Sequence, residues 1–211
     1  MSTTLYYSRS TASLVVHWLL IELGIPHELH ELDFDKRDQK SDDYLKLNPA
    51  GVVPTLVMDG QVITETAAIL MHLADTHPRA ELAPAVATTQ RAQYYRWMLF
   101  CANTLMPAYR AWFYEDEIAG PENAEASRLH ARLKLERAWQ QVADHLEAHG
   151  PYLLGAQRSA ADFLLTMLMR WSRNMPRPTD SWPMLHAHAQ RMKALPSFSE
   201  VYAREGLTDW T

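Results

Sequence analysis

Val53-Pro54 and Glu65-Thr66 are the residues whose types and spacing point most directly to chemistry. A proline at the start of a strand is a place where a cis X–Pro bond can be used. That would leave the backbone of Val53 unpaired and exposed, open to an extended peptide that bonds as an added strand. Glu65 and Thr66 stand where the next helix begins, so free N–H groups and the Thr66 hydroxyl can take a carboxylate while Glu65 pairs with an ammonium. A ligand with an extended peptide backbone, one free amine and carboxylates fits this set. Taken singly, Pro54 reads as the end of a loop and Thr66 as a helix cap. Their combination across the hairpin signal Asp59-Gly60 favours a ligand site.

Other reactive side chains do not assemble into a metal or thiol centre. His27 and His30 are three apart on a strand and point to opposite faces. His145 and His149 are four apart on a helix, a workable zinc spacing, but no third ligand is near in sequence and imidazoles suit a last helical turn. His17 reads as a packed or interfacial histidine. Cys101 is the one cysteine; it falls in an apolar helical stripe and excludes an intramolecular disulfide or a multi-cysteine metal site. No metal is expected.

Short elements must position the first set. Residues 4–7 form a β-prone run ended by the polar turn Ser8–Thr11, and Ser13 is placed to cap a helix stopped by Gly24 and Pro26. Residues 27–34 read as a second strand, 35–43 as a charged loop and 44–47 as a helical turn closed by Asn48-Pro49. Residues 53–58 and 61–63 flank Asp59-Gly60, and 64–76 follow as a helix. The order β-α-β-α-β-β-α is that of an α/β sandwich, with a parallel βαβ unit, an antiparallel hairpin and a covering helix.

Residues 78–84 carry two prolines and read as a linker between a domain over 1–77 and a second over 85–211. Beyond the linker only helical periodicity remains: 88 to about 113, kinked or broken by Pro107, then 121 to about 149, 159–175, 182–195 and 197–205. In Ser159-Ala160-Ala161-Asp162 the spacing is that of a capping box.

Composition narrows the partners. A hydrophobic fraction of 47% with 21% charge is that of an ordinary globular chain. The formal net charge of −5 leaves no basic footprint for nucleic acid, and no polybasic run suits a membrane surface. With neither a secretory pattern nor an apolar stretch of the ~20 residues a span needs, a cytoplasmic protein is expected.

The pattern Pro49-x-Gly51-x-Val53-Pro54-x-Leu56, then Glu65-Thr66-x-Ala68-Ile69, resembles the glutathione-binding core of cytosolic glutathione transferases. Thr66 stands where that family usually has Ser and keeps the hydroxyl. Leu154-Gly155 through Asp162 resembles the capping element of the family's helical domain, and 196–207 its end, so the resemblance covers nearly the whole chain. It implies a thioredoxin-like α/β domain followed by an all-α domain, with glutathione as co-substrate. Val53 and Pro54 would hold its cysteinyl backbone, and Glu65 and Thr66 its γ-glutamyl end. The glycine carboxylate would fall to Lys36 or Arg37, although a solvated loop is the simpler reading there.

Leu5-Tyr6-Tyr7-Ser8 through Ser13-Leu14 resembles the start of bacterial beta-class members, except that Ala12 occupies the position of their cysteine. A methyl group is no nucleophile, which argues against thiol exchange there. The resemblance then implies hydroxyl chemistry: Ser10, Thr11 or Ser13, or one of Tyr6 and Tyr7, donates to the glutathione sulfur and lowers its pKa from about 8.5. Tyr7, Tyr109, Trp112 and Phe113 are candidates for a pocket that takes an apolar electrophile, with interhelical core as the alternative for the last three. Tyr94, Tyr95 and Trp97 face either the core or a second subunit, since family members are usually homodimers. A binding module without catalysis, and a glutathione-dependent isomerase or peroxidase, stay open as other uses of the same fold.

Overall fold

β-Branched and aromatic residues near the N-terminus and around the Asp59-Gly60 turn build one small sheet. A computed structural model of the chain describes residues 2–211. Apart from the last two residues it divides into two compact units: the chain up to Ala83 with Lys193–Asp209, and Pro84–Met192.

The first unit runs β1 (Thr3–Tyr7), α1 (Ser13–Glu22), β2 (Glu28–Glu31), α2 (Asp42–Leu47), β3 (Thr55–Met58), β4 (Gln61–Thr64) and α3 (Thr66–Thr76). The sheet order is β2-β1-β3-β4, with β1 and β2 parallel and the other pairs antiparallel. Asp59 and Gly60 have φ of 47° and 80°, the two positive values a type I′ turn requires. Alternation along β1 sends Leu5 and Tyr7 into the core and Tyr6 to the opposite face, where its ring meets Tyr44 and His30. A satellite cluster of Leu32, Tyr44 and Val53 forms on that side, with Tyr6, Phe34 and Leu47 packed against it.

One further helix belongs to this unit although it lies at the far end of the sequence. α10 (Pro196–Glu205) packs on α1, where Trp18 Nε1 donates to Ser197 Oγ at 2.9 Å and the Phe198 ring meets Trp18 edge-on.

The second unit is helical: α4 (Thr89–Phe100), α5 (Met106–Phe113), α6 (Glu115–Ala119), α7 (Ala124–His149), α8 (Ala160–Trp171) and α9 (Pro183–Lys193). Pro107 does not break the long helix. A π-turn over Cys101–Leu105 joins α4 to α5, and Met106 N–H reaches back to Cys101 O. The wider turn moves away the carbonyl that the proline ring would otherwise strike. Periodicity missed the short α6 and placed the start of α7 at Pro121, where a 3₁₀ turn over Pro121–Asn123 precedes it. α8 is buried from Ala160 to Arg170, and the capping box forms: Ser159 N–H donates to Asp162 Oδ2 at 2.7 Å. No helix among the described residues is long and apolar enough to cross a membrane.

Candidate functional site

The residues expected to grip a peptide come together on the first unit's sheet. The Val53–Pro54 bond is cis, and Pro54 directly precedes β3. Among the described residues no internal hydrogen bond takes up the Val53 backbone. An extended peptide can pair there as an extra strand.

β4 pairs along β3 from Met58 to Thr55, and the chain then turns into α3 through Glu65. Glu65 has φ of 69° and ψ of 113°, a backbone conformation that side chains with a Cβ rarely adopt. That turn exposes the Glu65 carboxylate and seats Thr66 at the first position of α3. No side chain caps this helix, so its first N–H groups and the Thr66 hydroxyl are available to an anion.

The loop between β1 and α1 is built differently. Its hydroxyls are engaged with its own backbone: Thr11 Oγ1 donates to Ser8 O at 2.7 Å and accepts from Ser13 N–H at 3.3 Å. Ser13 is fully buried, its Oγ accepting from Ser8 N–H at 3.2 Å and lying 3.0 Å from Ser8 O and 2.8 Å from Thr11 Oγ1. The helix cap expected of Ser13 does not form: Ala12 is the N-cap, with no side-chain cap bond, Thr11 Oγ1 takes only the Ser13 N–H, and Ser13 turns back to close the loop. Ser10 is left-handed at φ 62°, and its N–H donates to Glu205 Oε2 at 3.2 Å. Glu205 is fully buried and its other oxygen lies 2.9 Å from His17 Nδ1. α10 thus holds the loop from beneath. Sequence reasoning missed Glu205, because a contact across nearly the whole chain leaves no local signal.

The family model of the glutathione S-transferase N-terminal domain matches residues 9–76. The glutathione S-transferase GST-4.5 of Xanthomonas campestris pv. campestris is 34% identical over 205 residues, 96% of this chain and 98% of that one. The chain belongs to the glutathione S-transferase family. A maleylacetoacetate isomerase of Dictyostelium discoideum is 28% identical over 94% of this chain and 92% of its own. A solved glutathione transferase homologue from Sulfitobacter, with bound glutathione, matches with a TM-score of 0.87 at 28% identity, covering 98% of this chain and 99% of that one.

For a glutathione S-transferase, the remaining expected site residues fall partly in the first unit and partly in the helical one. Lys36 is exposed and paired with Asp33 at 2.9 Å, which pushes its ammonium pKa up and the Asp33 carboxyl below its usual range. Tyr7 is buried, its hydroxyl donating to Glu31 Oε2 at 3.3 Å; burial first, and Glu31 next, push its pKa up. Glu31 also pairs with Arg9 at 2.8 Å.

In the helical unit Tyr109 is fully buried, accepts from Trp139 Nε1 at 3.2 Å, and stacks on Phe113. Burial pushes the Tyr109 phenol up. Trp171 meets both rings edge-on, Trp112 is buried, and only Phe113 of the three is open to solvent. The rings of His145 and His149 lie 4.9 Å apart, and His145 Nε2 meets Leu153 O at 2.9 Å. Among the described residues no group of three or more His, Cys, Asp or Glu is arranged to hold a metal. Burial pushes the Cys101 thiol up, so it is not a nucleophile.

Proposed function

We propose that this chain is a glutathione transferase that binds glutathione along β3 and α3 and delivers its thiolate to an apolar electrophile. The observation that carries this reading is the set of open polar groups at Val53, Glu65 and Thr66. They match an extended peptide with an amine and a carboxylate at one end. The ligand thiol is the nucleophile, because Ala12 supplies none and the likeness to the beta class stops at that residue. The start of α1 and a loop hydroxyl stabilise the thiolate.

Of the hydroxyls, Ser10 and Thr11 are the ones assigned to the sulfur. Both are partly exposed, whereas Ser13 is sealed inside the loop. Thr11 would exchange its own bond to Ser8 O for one to the sulfur, leaving Ser13 to donate to Ser8 O, while Thr11 still accepts from Ser13 N–H. Lys36 is assigned to the glycine carboxylate, and the exposed Phe113, with Tyr109 and Trp112 packed behind it, is assigned to an apolar acceptor. Tyr95 and Leu99, exposed one turn apart on α4, support a homodimer. A cytoplasmic role in detoxification suits these assignments.

The test is retention on immobilised glutathione together with the ultraviolet titration of the bound thiol. Binding with a thiol pKa below about 8.5 supports the reading, and the absence of both rejects it. Ser10→Ala and Thr11→Val should each lower the conjugation rate near neutral pH with little change in the KM for glutathione. Ser13→Ala should instead lower stability. The Dictyostelium relative favours a second reading, glutathione-dependent isomerisation, which a product assay without net loss of glutathione distinguishes.

A further inference from the structure

Behind the peptide-gripping segment lies a buried polar network whose proton directions follow from its contacts. Asn48 Oδ1 accepts from Ala50 N–H at 3.2 Å, which fixes the orientation of the amide. Both hydrogens of Asn48 Nδ2 are then directed, one to Val52 O at 2.8 Å and one to Thr55 Oγ1 at 3.1 Å. The Tyr44 hydroxyl donates its single proton to Val52 O at 2.7 Å. Its 2.8 Å contact with Thr55 Oγ1 must therefore run the other way, with Thr55 donating. Each proton of the two hydroxyls and of the amide is used once. Tyr44, Asn48 and Thr55 are 3%, 3% and 0% exposed, so any broken link leaves a buried group unpaired.

The placement of the two acceptors gives this network a direction. Val52 O lies immediately before Val53-Pro54 and Thr55 Oγ1 immediately after. Both flanks of the dipeptide are tied to α2, and the Val53 backbone between them is left without an internal partner. The surrounding cluster of Leu32, Phe34 and Leu47 is apolar, and an apolar filling would have closed it. Polar groups that are buried here and directed at one carbonyl and one hydroxyl fix orientation, which apolar packing does not.

We infer that Tyr44, Asn48 and Thr55 are positioning residues for peptide recognition, setting the direction in which the Val53 N–H and C=O meet the backbone of the ligand. The inference rests on the glutathione reading above. It predicts that these residues, none of which reaches the ligand, control discrimination between peptide backbones.

The experiment is calorimetric titration with two ligands: glutathione, and glutathione methylated at the cysteinyl amide nitrogen, which cannot complete the strand pairing. The unaltered protein should prefer glutathione by about tenfold, the size of one to two hydrogen bonds. Thr55→Val has the same shape without the hydroxyl, and Tyr44→Phe removes one oxygen. Each should weaken glutathione by about five- to tenfold and bring the preference toward unity, while Thr55→Ser keeps both. A fall in melting temperature with affinity and preference unchanged overturns the inference. If Thr55→Val does not fold, Tyr44→Phe decides on the same criteria. Failure of the unaltered protein to bind glutathione overturns the transferase reading and this inference together, and is recognised before any variant is made.

Discussion

The loop before α1 and the segment from Val53 to Thr66 are both polar, yet they dispose of their polar groups in opposite ways. In the loop, the Thr11 and Ser13 hydroxyls bond Ser8, and the Ser10 N–H bonds Glu205. Across the sheet, the Val53 backbone has no internal partner among the described residues, and α3 begins without a side-chain cap. One region is closed and holds its shape without a ligand. The other is held from behind and left open in front. Binding energy is best placed where donors have no internal partner, because a ligand then meets groups that have lost nothing to reach it. The thiolate-steadying role proposed for the loop would benefit instead from rigidity, since pre-set donors need no reorganisation.

The largest effect should come from opening the closed region. Glu205→Ala removes the acceptor that both the buried His17 and the Ser10 N–H use, and leaving a buried polar group unsatisfied costs about 1–3 kcal/mol. Urea unfolding should show that loss, and a value near zero would mean the loop holds itself without α10. Next comes Thr66→Val on the open side. It should weaken glutathione about tenfold in calorimetry and leave the unfolding midpoint almost unchanged, because among the described residues no internal hydrogen bond engages that hydroxyl. A matching loss of stability would show that Thr66 serves the helix instead.

The two regions were not equally legible in the sequence. The open segment could be read because its signals are local: Pro54 ahead of a strand, Asp59-Gly60 for the turn, and Glu65-Thr66 at a helix start. Each is a backbone preference acting within a few residues. The closed loop could not, because its shape depends on α10, and neither Ser10 nor Glu205 carries a mark of the other. Ser13 was misread as the cap for a related reason: Thr11, Ala12 and Ser13 offer two hydroxyls two positions apart, and only the course of the chain at Ser8 decides which one faces the helix. The Tyr44-Asn48-Thr55 network was hidden behind Asn48-Pro49, which on its own reads as no more than a helix stop. In the helical unit, the periods of α7 and α8 were plain. The π-turn before Pro107 was not, since periodicity registers a proline as a break and cannot register its accommodation.

Glu65 sharpens the contrast from a third side. Its backbone at φ 69° is costly for any residue with a Cβ, by about 1–2 kcal/mol. Glycine tolerates it but loses more freedom on folding. Glu65→Gly should therefore raise unfolding stability by up to about 1 kcal/mol while weakening glutathione, because the carboxylate proposed for the ligand amine is gone. Stability and affinity moving in opposite directions is the mark of a strained binding residue. If both fall, the conformation of Glu65 is relaxed in its surroundings.

The smallest effect concerns Tyr7, at the border of the closed loop. Burial, then the charge of Glu31 and the hydrogen bond to it, raise its pKa above the ordinary 10.0. A raised folded-state pKa means that the folded chain holds this proton more tightly than the unfolded one. The contribution is complete below about pH 10 and declines as pH climbs from there through the folded value. Tyr7→Phe should abolish that alkaline decline and leave the stability profile below pH 9 parallel to that of the unaltered protein. Guanidinium unfolding at a series of pH values from about 8 to 11 measures it. A decline of equal size in Tyr7→Phe would assign it to other groups, and the border of the loop would then be set by the Arg9–Glu31 pair without help from the phenol.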